Sequence, residues 1–135
     1  MSKVNTGEVE PYPEDHVLGI IDQAADVRAA VEALFAAGYD HKDVTVLCGQ
    51  RGLELMDADG TRHGPVGRVI RLVQNFGPER EHLRHVENEL QQGHFAVGVE
   101  VADDPGKQQA AGLLWEHGGR YLHHYGHWEI EALTP

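Results

Sequence analysis

A single cysteine, Cys48, excludes an internal disulfide, and a single serine, Ser2, leaves the chain without the commonest hydroxyl nucleophile. Cys48 closes the apolar run Val44-Thr45-Val46-Leu47-Cys48, so its thiol reads as a buried structural group. The threonines at 6, 45, 61 and 134 carry no activating signature, and covalent hydrolase chemistry is disfavoured by inventory alone. Long apolar runs are also lacking. None approaches the roughly eighteen residues of a membrane span, and the N-terminus does not follow the charged-then-apolar order of a secretory leader. A reducing, cytoplasmic setting is therefore expected, with no membrane partner. Basic residues are scarce: 11 against 22 acidic ones, a formal charge of −11 that would repel a polyphosphate backbone. Nucleic acid is accordingly not an expected partner. The ten histidines qualify that balance, because mild acid would protonate many of them and remove most of the net charge.

What remains is an ordinary globular composition, 41% apolar and 24% charged, in a chain of 135 residues that suits one domain. Residues 1–15 are polar, with Pro11 and Pro13, and read as a flexible tail ahead of a single domain over 16–135. The run His16-Val17-Leu18-Gly19-Ile20-Ile21 reads as a buried strand, and Asp22 as the cap of the helix that follows. In that helix Val27, Ala30, Val31, Leu34 and Phe35 share one face. Gly38 supplies the left-handed stop, and Tyr39 folds back as its hydrophobic contact. The strand at Val44 to Cys48 completes a βαβ unit. Phe95-Ala96-Val97-Gly98-Val99-Glu100-Val101, a helix opened by Asp104-Pro105 and closed by Gly118-Gly119, and the strand from Tyr121 repeat the plan. Two such halves predict an α+β, ferredoxin-like βαβ–βαβ fold, with a four-stranded sheet and helices on one face. A helical insertion at about 49–93 joins the halves. Its first helical pattern is Val66, Val69, Ile70, Val73 and Phe76, and its second is Leu83, Val86 and Leu90, which places His85 toward solvent.

Chemistry concentrates in Tyr121-Leu122-His123-His124-Tyr125-Gly126-His127-Trp128-Glu129-Ile130. As one strand, alternation puts Tyr121, His123, Tyr125, His127 and Glu129 on a polar face, and Leu122, His124, Trp128 and Ile130 on the other. His123, His127 and Glu129 then have the spacing to converge on a divalent transition metal, the one cofactor the sequence suggests. Otherwise the row is an interface or a solvated face. Glu79 and His82 give only one copy of the Glu-x-x-His spacing that a di-iron bundle needs twice. Asp57-Ala58-Asp59-Gly60 lacks the distal glutamate of a calcium loop and reads as a turn held by aspartate side chains. Gly49-Gln50-Arg51-Gly52 reads as a strand-to-helix turn in which backbone N–H groups and Arg51 offer an anion site. His63-Gly64 ahead of Arg68 and Arg71 offers another, an imidazole at a helix start with two guanidiniums a turn or two later. Against it stands pairing of those arginines with the many carboxylates of the chain.

Residues 17–38, the run Val44-Thr45-Val46-Leu47, the turn Asp57-Ala58-Asp59-Gly60-Thr61-Arg62-His63-Gly64 and residues 118–131 together resemble the general stress protein 17M-like (heat-induced stress protein) family of bacterial proteins. That resemblance implies a stress-associated cytoplasmic protein and brings no catalytic residues. The resulting expectation is a non-enzymatic domain acting by self-association, as a homodimer paired through sheet edges, or by binding a protein partner or small ligand. The alternative is a metal-binding or metal-sensing protein built on the histidine-rich final strand.

Overall fold

The computed structural model describes residues 15–73, 84–126 and 130–135. Of the expected N-terminal tail only Asp15 falls within that set. Strand β1 (His16–Ile21) leads into helix α1 (Ala24–Ala36) and strand β2 (Val44–Cys48). Helix α2 (Gln50–Asp59), two short 3-10 turns (Thr61–His63 and Pro65–Val69), strand β3 (Ile70–Leu72) and helix α3 (Arg84–Gln91) follow. The chain ends in β4 (Phe95–Glu100), α4 (Asp104–Glu116), β5 (Arg120–Tyr125) and β6 (Ile130–Ala132). Among the described residues no helix is long and apolar enough to cross a membrane.

The α+β class holds, but the sheet has six strands rather than four, in the order β3-β2-β4-β1-β5-β6. The two βαβ halves interlock: β4 lies between β1 and β2, antiparallel to both, and β1 lies between β4 and β5. The extra strands add an edge on each side. β3 comes from the insertion and runs parallel to β2, pairing Val46 with Ile70 and Cys48 with Leu72. The insertion is therefore not purely helical. Val66, Val69, Ile70 and Val73 do have helical spacing, yet the β-branched Val69-Ile70 pair suits a pleated surface. That segment becomes a 3-10 turn with Val66 and Val69 buried, and then an edge strand. β6 arises because the expected single strand over 121–130 turns back on itself, so that Tyr125 faces Ile130 across a hairpin. Ile130 thereby packs on the same side as Tyr125, not opposite to it.

Helices cover both faces, contrary to the one-sided expectation. Val17 and Ile21 of β1, Phe95, Val97 and Val99 of β4 and Leu122 of β5 join α1, α2 and α4 in the main core. Leu18, Ile20, Ala96 and Tyr125 point the other way and meet Val86 and Leu90 of α3. Helix α1 buries Val27, Ala30, Val31 and Leu34 and stops at left-handed Gly38 (φ 109°), where the Tyr39 N–H donates to the Leu34 carbonyl. Two expected caps move. Asp103, not Asp104, caps α4 by accepting from the Gly106 N–H at 2.9 Å. Asp22 caps nothing: Gln23 holds the N-cap position of α1 and makes no side-chain cap bond. The cysteine expectation holds, since Cys48 is buried in the main core and burial pushes its thiol up to about 11. Thiolate being the reactive form, Cys48 is expected to react with Ellman's reagent at mildly alkaline pH only on unfolding. Equal rates for native and urea-unfolded protein would contradict this burial.

One irregularity decides what β5 presents. Leu18 pairs with His123 but Ile20 pairs with Arg120, so Tyr121 and Leu122 together oppose Gly19. A side chain at Gly19 would force Leu122 to move, since a Cβ would stand 2.5 Å from a Leu122 methyl. Tyr121 takes the left-handed conformation at φ 56°, uncommon for an aromatic residue. Because opposed residues share a face, Arg120 sits with Ile20 on the α3 side. Strict alternation would have put it with Leu122 on the other.

Candidate functional site

Two constellations stand out; the sequence pointed at part of the first and not at the second. The first is a cleft of about 660 Å³ between the end of α1 and the 3-10 turns, lined by Phe35, Tyr39, Asp40, His41, His63, Gly64, Pro65 and Arg68. Its position follows from local chain chemistry. Gly38 ends α1 and turns the chain, so that Tyr39 to His41 form one wall of the cleft. On the opposite wall, Pro65 opens the second 3-10 turn and fixes the backbone from which Arg68 projects.

The turns beneath the cleft are held by the acidic residues that precede them. Both carboxylate oxygens of Asp57 accept from Arg62 Nη1 at 3.0 Å. Asp59 Oδ1 accepts from the Thr61 N–H at 2.9 Å and from the Thr61 hydroxyl, and its Oδ2 lies 3.8 Å from Arg28 Nη1. The Asp57-to-Gly60 segment is thus an aspartate-held turn, with Gly60 left-handed at φ 82°. Asp40 Oδ1 accepts from the Lys42 N–H and Asp43 Oδ2 from the Asp40 N–H. The carboxylates around the cleft are therefore engaged, and the arginines that pair with carboxylates here are Arg28 and Arg62. Among the described residues the side chains of Arg68, His41 and His63 make no hydrogen bond or ion pair. In a chain of charge −11, the cleft thus gathers one guanidinium and two imidazoles whose side chains are not engaged elsewhere.

Of the four residues expected at an anion site, His63 and Arg68 meet in this cleft. Arg71 does not: with β3 in place of a helix, it lies exposed on the sheet edge. Arg51 lines a separate cleft of about 310 Å³ with Gly49, Gln50, Val73, Leu90 and Gln91. Tyr39 and His41 were missed as lining residues. Their signal was weak, a tyrosine and a histidine just past a helix-stopping glycine.

The second constellation gathers Asp22, Glu89, His94 and Arg120. Arg120 Nη2 donates to Glu89 Oε1 at 2.6 Å and to Asp22 Oδ1 at 2.5 Å. His94 Nδ1 lies 2.7 Å from Glu89 Oε1, and since a carboxylate only accepts, that nitrogen carries the hydrogen. His85 Nε2 approaches Glu89 Oε2 at 3.4 Å. Glu89 is only 8% exposed, and the hydrogen bond from Arg120 leads in holding its carboxyl down to about 2; burial opposes, and His94 assists. Asp22, Glu89 and His94 bring ligand-type atoms within 4.8 Å of one another, the sole such group among the described residues. Arg120 Nη2 already supplies the positive charge among them, so the cluster works as a clamp joining the end of β1, α3 and the start of β5. A signal for Glu89 was available: a carboxylate three residues after Val86 and one before Leu90 borders the apolar stripe of α3.

The expected metal row on the final strand is only partly described. His127 and Glu129 lie outside the described residues, as do Glu79 and His82. His123 is half-buried, and its Nδ1 is 3.0 Å from the Tyr121 carbonyl. The Tyr121 ring stands between His85 and His123 at centroid distances of 4.2 and 4.3 Å, while Tyr125 is buried against α3. His85, exposed to solvent as expected, also packs its ring on Tyr121 at the end of this row.

No family model, curated protein or solved structure matches the chain. What the fold and geometry define is a small α+β domain with a surface cleft lined by two imidazoles and a guanidinium.

Proposed function

We propose that the protein is a non-enzymatic, stress-associated binding domain whose cleft between α1 and the 3-10 turns holds the carboxylate or phosphate group of a small ligand. The observation that carries this reading is the convergence of His41, His63 and Arg68 on one cleft while the neighbouring carboxylates are engaged. Guanidinium and imidazole donors at one site suit an oxyanion, and Arg68 adds a planar fork to that geometry. No serine, threonine or cysteine nucleophile lines the cleft, which supports binding over covalent chemistry. Self-association through an edge is less favoured: β3 and β6 are each three residues long, and short edges are poor templates for pairing.

Calorimetric titration with phenyl phosphate tests the reading. Saturable one-site binding is expected. Arg68→Ala is expected to weaken it by about tenfold or more, since a hydrogen bond to a charged group contributes roughly 1.5–3 kcal/mol. Arg71→Ala, away from the cleft, is expected to leave it unchanged. Absence of saturable binding at millimolar ligand, or equal binding by the Arg68 variant, would refute the proposal.

A further inference from the structure

We infer that the ligand of this cleft is amphipathic, a flat apolar body of aryl type bearing a single anionic head, and this rests on the anion-binding reading above. Size is the first reason. About 660 Å³ falls in the size range of small-molecule clefts, far beyond the needs of a bare oxyanion. The second reason is the division of the lining into two kinds of surface. Phe35, Tyr39 and Pro65 present three rings, and ring faces pack well against an aryl plane. His41, His63 and Arg68 supply the polar pole.

Tyr39 belongs to the apolar wall for a specific reason. Its hydroxyl is within 2.9 Å of Gln109 Oε1 and 3.2 Å of the Gly106 carbonyl, both on α4. Burial, with Asp103 and Asp43 nearby, raises its pKa, so the phenol stays protonated and donates to α4. The hydroxyl is thus committed, the ring is pinned in place, and what remains for a ligand is ring surface. Asp40 also lines the cleft, with Oδ1 tied to the Lys42 N–H. Its charge, within a chain of −11, opposes a second or third anionic group and favours one head over a polyphosphate.

Four probes titrated calorimetrically into the full chain separate the contributions: phenyl phosphate, inorganic phosphate, benzoate and phenol. Phenyl phosphate is expected to bind about tenfold tighter than inorganic phosphate, from the apolar area that the ring buries. Benzoate is expected to bind tighter than phenol, which lacks the anionic head. Arg68→Ala should weaken both phosphates together, whereas Phe35→Ala should erase the advantage of the aryl compound alone. Phe35 also packs against the core, so Pro65→Ala, at an exposed position, provides a second test that does not depend on the stability of the first variant. Equal affinity for the two phosphates overturns the amphipathic ligand and leaves the anion reading standing. Equal affinity for phenol and benzoate overturns the anionic head, and no binding of any probe removes both.

Discussion

Arg120→Ala is expected to lower the unfolding free energy by about 2–3 kcal/mol and to blunt the acid sensitivity of the fold. The effect is large because one guanidinium nitrogen serves two carboxylates, and Glu89 is 8% exposed with little water to replace the lost donor. Removing one partner of a fully buried pair costs roughly 3–5 kcal/mol; here the figure is reduced because Arg120 and Asp22 are 39% and 44% exposed and water re-enters from their side. Lysine is expected to rescue only in part, as an ammonium does not reproduce the guanidinium's planar set of donors. The pH dependence has a definite sign. The folded-state pKa of Glu89 is depressed from 4.5 to about 2, so its contribution is fully present above about pH 4.5. It is lost as pH falls through about 2. Urea unfolding of the wild type at a series of pH values between these limits should show that decline. Glu89→Gln should flatten it, and an unchanged slope in that variant would show that Glu89 is not the group responsible.

Gly67→Ala is expected to cost about 2–3 kcal/mol and to weaken phenyl phosphate binding at the same time. A Cβ at residue 67 would stand 2.2 Å from the Arg62 carbonyl oxygen and 2.9 Å from its carbon, a collision with backbone that no rotamer relieves. Neither strand of the turn can withdraw freely. Arg62 is tied to Asp57, the Gly67 N–H donates to the Gly64 carbonyl at 3.0 Å, and Val66 and Val69 are buried on either side. Displacing this turn moves Arg68 away from Tyr39 and His41. Gly64→Ala is the matched control: a Cβ there meets nothing within 4 Å and φ is −105°, so a change within about 0.5 kcal/mol is expected. Thermal unfolding of the two variants beside the wild type makes the comparison. Similar stability for both would mean that the turn is free to relax.

The elements that were legible in the sequence are those whose local pattern and tertiary role agree. Val27, Ala30, Val31 and Leu34 with Gly38 spell one amphipathic helix and its stop; the run at Phe95 is continuous enough to be a strand buried on both faces, and that at Val44 a strand with one face fully buried and the other half-buried. Residues 66–73 mislead because helical spacing and β-branched content point in different directions there. Pairing with β2 decides the matter, and no local window contains that partner. The anion site was half legible for the same reason: His63 and Arg68 stay together on the turns, while the strand carries Arg71 away. Arg120 was hidden more deeply. Its partners lie 98 and 31 residues back, at Asp22 and Glu89, and simple alternation assigns it to the wrong face of the sheet.

That assignment fails because of the extra residue opposite Gly19, and the same residue bears on how such a chain diverges. Along a regular strand, composition decides which chemistry faces which helix. At residue 121 length decides it: losing one residue there would exchange the β5 side chain that meets Glu89 without altering any other letter of the sequence. Divergence by single-residue insertion or deletion at this point would therefore remake or dissolve the clamp in one step, while point substitutions in the rest of β5 leave its phase untouched.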